Sequence, residues 1–483
     1  MDRFGWLPTR YVTMRGWGLL AAGVGALLLA QIFGRRDLLS LAVFLIALPL
    51  LAAAVMVVLK PRFAVERKFR PASVETGLIT HVQLSVRRTG SFGGIAYMEE
   101  QLPHRFGRSP TFRFPARYPT RTGESIYEYR LRSGKRGMFG IGPVTADFED
   151  PFGLARHRHN LGEVSALIVT PAPVELPPTS LTGARGTDGT ASTRRQANPS
   201  DDDVMTREYR HGDPMRRVHW AATARQGELM VRQEESVTTP QATIILDQRV
   251  HTFGSGLLPS LSAEHDGGEL LHSSPAFEWA VTAVASAAHD FIQRNYNVRL
   301  LDVHAEPGLL RSPSAPWPED ESFVGPAGYQ NLAEGLAALG LAEDPHRRSD
   351  RPQPGAETFG DRLMDKLAAH KLKGPLLALL GNISAAEARL LAPAAEFGSH
   401  AFAILVMDHP HDSSPALEAL RNGGWRAVGV NAKASLPAAW SYFDAQAAVT
   451  ASTARSRAAG TAAAGPAAAG SARSGPVSPG GRR

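Results

Sequence analysis

The residues best suited to chemistry crowd into one stretch, Asp203 to Glu235, which reads DVMTREYRHGDPMRRVHWAATARQGELMVRQEE. Glu208, Asp213 and His219 are the set from which acid–base work could be assembled, since an imidazole beside a carboxylate can move a proton near neutral pH. Nothing accompanies them to complete a catalytic apparatus: there is no serine nucleophile elbow and no His-Glu-x-x-His pair. The chain has no cysteine, which rules out thiol nucleophiles, thiolate zinc sites and disulfides. His219 beside Trp220 on a short helix reads more naturally as a packed or hydrogen-bonded residue. Catalysis is the weaker reading.

Six arginines share the stretch: Arg207, Arg210, Arg216, Arg217, Arg225 and Arg232. Eight acids between Asp201 and Glu235 offset them, so the local field is mixed and no nucleic-acid surface is indicated. Two compatible readings stay open. The charges could form an ion-pair network that fixes the segment to the domain after it. Alternatively, exposed arginines and Trp220 could meet a protein partner, since Arg and Trp favour interface hot spots. Locally, Asp213 suits a helix cap, Pro214 the first helical position, and Gly227 a stop after Arg225. Glu228–Arg232 then resumes as a strand. His104, His157 and His159 lack ligand spacing, and Gly90-x-x-Gly93-Gly94 opens no helix.

The elements that must position this stretch are legible on both sides of it. Two apolar runs open the chain, 17–33 and 38–59, each near the roughly 20 residues that cross a bilayer. Neither carries an ionisable residue, and Gly34-Arg35-Arg36-Asp37 between them is short enough only for a tight turn. The second run argues against a cleaved signal peptide, so residues 1–60 read as a transmembrane hairpin. Arg3, Arg10 and Arg15 precede it, and Lys60, Arg62, Arg67, Lys68 and Arg70 follow, against Arg35 and Arg36 in the turn. The positive-inside rule then puts both ends in the cytoplasm at the cell membrane.

Residues 61–176 show seven short period-two runs and read as an antiparallel β-sandwich of the immunoglobulin-like kind. Residues 177–203 form a Pro/Gly/Ser/Thr linker. Residues 204–446 hold the charged stretch and then apolar strands alternating with helices, which imply a mainly parallel, doubly wound α/β sheet. His251–Ser274 and Ala305–Ala356 interrupt that pattern and read as long loops. The Ala/Gly/Ser tail, 447–483, reads as disordered; it carries five arginines and no acid. Removing that +5 from the overall +6 leaves a nearly neutral body at +1.

Arg207-Glu208-Tyr209, Gly212-Asp213, Arg216, His219-Trp220, Ala224-Arg225 and Leu229–Arg232 together resemble the signature of the bacterial domain of unknown function 58 family. Arg136-Gly137, Gly142-Pro143 and Asp150-Pro151-Phe152-Gly153-Leu154 are similar to it as well. The resemblance spans roughly Gly16 to Phe443. It implies a von Willebrand factor type A-like fold for the α/β part. It also implies a MoxR-type AAA ATPase as partner, often with a membrane-bound transglutaminase-like protein.

Type A domains often hold Mg²⁺ on an Asp-x-Ser-x-Ser loop after their first strand. Here Asp247 stands in the first position at a strand end, but Arg249 and His251 replace both serines. A guanidinium there repels a cation and can pair with Asp247 instead, so the metal motif is degenerate and no metal or other cofactor is expected. The expectation is a membrane-anchored cytoplasmic scaffold, with Arg207, Tyr209, Asp213, Arg216, His219, Trp220 and Arg225 in binding or organising roles. The chain has no nucleotide motif, so ATP hydrolysis would belong to the partner. The runner-up is a hydrolase or transferase acting on an envelope component through Asp213 and His219. A metal-dependent adhesion-like domain is a further alternative.

Overall fold

A computed structural model describes residues 12–58, 62–89, 96–117, 120, 123–150, 152–178, 206–209, 215, 218, 220–232, 240–254, 272–343, 357–369, 373–410 and 414–443. Most of the linker and the tail read from the sequence lie outside the described residues.

Two apolar helices come first, α1 (Met14–Phe33) and α2 (Arg36–Val58). Thr13 caps α1 by accepting from the Gly16 amide, and Gly34 ends it in the left-handed region at φ 61°. Gly23 lies where α2 approaches; a Cβ there would fall 2.6 Å from the Ile46 side chain. Mean hydropathy is 1.8 for α1 and 2.7 for α2, yet only 17% and 11% of their most apolar windows are buried. Leu28, Ile32, Phe44 and Leu51 are among the large apolar side chains left exposed. Both helices are thus long and apolar enough to cross a membrane, with most of their apolar surface left uncovered.

Ten strands follow: β1 (Phe63–Arg70), β2 (Ser73–Glu75), β3 (Ile79–Arg88), β4 (Ala96–Glu100), β5 (Thr111–Phe114), β6 (Ser125–Arg132), β7 (Gly137–Ile141), β8 (Val144–Glu149), β9 (Arg156–Leu161) and β10 (Ser165–Thr170). The layer β1-β3-β6 packs against β5-β4-β8-β9 and against β2-β10-β7, in which β2 and β10 run parallel. β3 explains the arrangement through alternation: Val82, Leu84 and Val86 are buried while their neighbours face outward. The sheets therefore form a sandwich, with more strands than the seven read from the sequence.

The signature segment contributes β11 (Thr206–Glu208), α3 (Trp220–Gln226) and β12 (Met230–Arg232). Beyond it come β13 (Gln241–Leu246), α4 (Val250–Phe253), α5 (Pro275–Gln293), β14 (Asn297–Leu301), β15 (Ser322–Phe323), α6 (Gly325–Ala337), α7 (Asp361–Ala368), β16 (Lys373–Leu380), α8 (Ala385–Leu391), β17 (Ala401–Val406), α9 (Pro415–Asn422), β18 (Arg426–Val430) and a helical segment at 436–443. The six-stranded sheet has the order β15-β14-β13-β16-β17-β18, parallel except at the β15 edge. Ile244, Leu377 and Ile404 join the core shared with α5 and α6, whereas Ile245, Ala378 and Leu405 join that of α7, α8 and α9. Apolar side chains on both pleat faces demand helices on both faces, and the sheet is doubly wound.

One sequence reading is corrected. The stretch Ala305–Ala356 is not simply a loop: α6 lies inside it, with Leu332 and Leu336 fully buried. The helix start expected at Asp213 and Pro214 lies outside the described residues, and the described helix there is α3, Trp220–Gln226. Ahead of α3, the Val218 amide donates to the Met215 carbonyl at 3.2 Å. Gly227, at φ 78°, does end α3. Residues 255–271 and 344–356 of the two interruptions lie outside the described residues.

Candidate functional site

The signature segment folds back on itself. Arg207 pairs with Val231 and Glu208 with Met230 in an antiparallel ribbon, which the Tyr209 amide extends to the Leu229 carbonyl at 2.8 Å. The Thr223 hydroxyl accepts from the Met230 amide at 3.0 Å and ties α3 to β12. Val218 and Met230 are buried, and Tyr209 is half-buried. Trp220 is 64% exposed, Met215 54% and Leu229 38%, and Arg225 is exposed too. The ribbon thus brings Arg207 and Tyr209 beside β12, while α3 carries Trp220 and Arg225 at the surface. Asp213, Arg216 and His219 lie outside the described residues, as does the side chain of Arg207.

A second locus lies at the carboxyl ends of the strands. The chain leaves β13 toward β14 on one side and β16 occupies the other, so this edge is the topological switch point. A cleft of about 570 Å³ opens there, lined by His251, Thr252, Asn382, Asp408, His409 and Ser414 among others. Gly381, next to the lining residue Asn382, lets two backbones meet, since a Cβ there would fall 2.5 Å from the Thr252 carbonyl oxygen. The Asn382 amide donates to that same carbonyl at 2.8 Å.

Beside the cleft, Asp247 is fully buried and clasped by Arg249. The guanidinium donates from Nε to Oδ1 and from Nη2 to Oδ2, both at 2.9 Å, and the Arg249 amide reaches Oδ1 at 3.1 Å. Nη1 of Arg249 turns to Glu387, whose carboxylate also closes the capping box of α8 with Ser384. Burial alone would weaken the Arg249 charge, but Asp247 and Glu387 more than offset it and drive its pKa upward. Burial would likewise raise Glu387, yet the Ser384 and Arg249 bonds hold it below its ordinary value. Both oxygens at the first position of the degenerate metal motif are therefore engaged by a cation of the protein's own. Among the described residues, no group of three His, Asp or Glu side chains is placed to hold a metal ion.

The cleft was not read from the sequence. A signal was present, because Gly381-Asn382 and Met407-Asp408-His409 directly follow buried strands, where doubly wound sheets present ligand-facing loops. Arg136 was noted only as part of a resemblance. Its guanidinium in fact reaches 142 residues along the chain to form a two-pronged pair with Glu278 at 2.9 Å.

Two helices of spanning length ahead of a β-sandwich and an α/β sheet define a multidomain chain with a membrane-seeking hairpin. The family described as Protein of unknown function DUF58 matches residues 205–258, which contain the ribbon, α3, β13 and α4. The family resemblance read from the signature is borne out by that match. No curated protein matches the chain.

Proposed function

We propose that the chain is a membrane-anchored scaffold whose signature segment docks a protein partner. The supporting observation is the exposed side of that segment: Trp220, Met215 and Leu229 lie open to solvent although Val218 and Met230 of the same segment are buried. An exposed indole and an exposed arginine on one short helix have the composition of an interface hot spot. A segment serving only as an internal ion-pair network would have no use for it.

In this reading the hairpin crosses the cell membrane, both termini and the folded units are cytoplasmic, and the sandwich is immunoglobulin-like. The α/β unit is von Willebrand factor type A-like. The partner is a MoxR-type AAA ATPase, which supplies the ATP hydrolysis, and a membrane-bound transglutaminase-like protein is a second expected associate. No observation favours the hydrolase alternative built on Asp213 and His219.

The test is affinity purification from detergent-solubilised membranes, with wild type beside a Trp220→Ala/Arg225→Ala variant. An ATPase retained by wild type and lost by a variant of unchanged melting temperature supports docking at this surface. Equal retention moves the docking site elsewhere. Recovery of no partner by wild type defeats the scaffold reading.

A further inference from the structure

We propose that the turn Phe152–Leu154 is a lipid foot, with the Phe152 ring seated at the headgroup–acyl boundary of the leaflet from which α1 starts. The turn is bonded to the very start of α1. The Thr13 hydroxyl donates to the Gly153 carbonyl at 2.7 Å, and the Thr13 amide donates to the Leu154 carbonyl at 2.9 Å. Val12 and Ala155 form a β-bridge, and a Cβ on Gly16 would fall 2.4 Å from the Leu154 carbonyl oxygen. The β-sandwich thus touches the helix backbone itself.

The level of this contact follows from length. α1 has 20 residues, which at about 1.5 Å each match roughly 30 Å of hydrocarbon. Thr13 therefore stands at the hydrocarbon edge, and Phe152, next in sequence to Gly153, stands at the same level. Arg15 lies alongside the turn, its Nη1 3.4 Å from where a Gly153 Cβ would be. At the other helix, Ala52 and Ala53, in the last two turns of α2, pack against the sandwich core that holds Phe148 and Ala155. The first turn of α1 and the last turns of α2 thus rest on one domain, which holds that domain against the bilayer surface.

The Asp150 carboxylate pins the backbone around Phe152, and among the described residues no ring stacks on the Phe152 side chain. The buried Asp150 carboxylate accepts from the amides of Phe152, Leu154 and Ala155 at 3.1, 2.6 and 2.5 Å. Phe152 itself is 66% exposed. A fixed backbone that holds an aromatic ring outward beside a membrane helix suits partition into the interface. Electrostatic attraction plays the smaller part, since Arg156 and Arg158 nearby on β9 already pair with Asp147 and Glu99.

The inference rests on the hairpin lying in a bilayer, and the experiment separates the two. The chain lacks cysteine, so Phe152→Cys, Leu28→Cys and Trp317→Cys each accept one thiol-reactive fluorophore. The full chain is reconstituted in phosphatidylcholine/phosphatidylglycerol vesicles with spin-labelled lipids, and melting temperatures are compared with wild type. Leu28, an exposed residue well inside α1, should lose most of its emission to mid-chain nitroxides. The probe at 152 should be blue-shifted and lose most of its emission to nitroxides near the headgroup. The probe at 317, on the α/β unit, should keep its emission. Quenching at 28 without quenching at 152 overturns the lipid foot and leaves the hairpin standing. Quenching at neither position overturns both.

Discussion

Arg67, Glu100 and Tyr129 meet inside the β-sandwich, and their burial makes the site unforgiving. Arg67 donates to Glu100 at 2.8 Å and to the Glu163 carbonyl, and the two side chains are 2% and 0% exposed. Gly142, at φ 98°, leaves room for this guanidinium, since a Cβ would fall 2.4 Å from Nη2. Burial raises Glu100 despite the neighbouring Arg67, and it pushes the Tyr129 phenol far up. Arg67→Met leaves a buried carboxylate without its cation and should destabilise the full chain by about 3–5 kcal/mol in denaturant titration. Arg67→Met/Glu100→Leu removes both charges and should recover most of that loss. Arg249 supplies a second prediction of this kind. Because it occupies both oxygens of Asp247, calorimetric titration with Mg²⁺ should give no stoichiometric heat. A binding isotherm that disappears in Asp247→Ala would contradict this.

Among the elements, acid should loosen the α/β sheet at two seams. Glu321, just before β15, bonds Arg299 of β14 at 3.0 Å and also Lys366 of α7. Burial would raise it, but Lys366 and Arg299 hold it below the ordinary 4.5, and Glu387 beside α8 is lowered from 4.5 as well. A depressed carboxylate contributes stability above its unfolded pKa and loses it as pH falls through the folded one. Melting temperature should therefore drop as pH falls below about 4.5, and Glu321→Gln should shallow that slope. Glu100 works in the opposite sense: its raised pKa gives its best contribution at low pH and less as pH climbs past 4.5. The same packing explains what the sequence made legible. β13, β16 and β17 are apolar on both faces, and α1 and α2 are long and uncharged within, so composition alone marks them. α6 escaped because Gly325, Gly328 and Gly335 mask its pattern; Gly335 is there to admit Leu309. β9 escaped because RHRHNL at a sheet edge has no apolar alternation to read. For the signature, residue types pointed to a partner surface, but the outward setting of Trp220 came only from the fold.

Across the whole molecule, the sandwich and the α/β unit are joined by one arginine more than by any other described side chain. Arg136, just before β7, is 5% exposed, pairs with Glu278 in the first turn of α5, and donates to the Leu336 and Ala337 carbonyls ending α6. It therefore answers an acid at one helix start and orphan carbonyls at another helix end, with its guanidinium 5.6 Å from the centre of the Phe277 ring. Further bonds are simpler: the Ser286 hydroxyl accepts from the Val174 amide at 2.9 Å, and the Ser73 hydroxyl donates to Glu334 at 2.8 Å. Leu176 leaves the sandwich to enter the α/β core. If Arg136 couples the units, Arg136→Ala should split a single calorimetric transition into two, with the first moved to lower temperature. Arg136→Lys keeps the charge but cannot make the two-pronged bond to Glu278, so it should fall between them. A single transition at the wild-type temperature in Arg136→Ala would mean that Leu176 and the backbone bonds couple the units unaided. With both helix ends seated on the sandwich, the clamp would carry the membrane's hold through to the α/β sheet and its cleft. Fluorescence energy transfer from a probe at position 317 to an acceptor lipid should then broaden in Arg136→Ala and stay narrow in wild type.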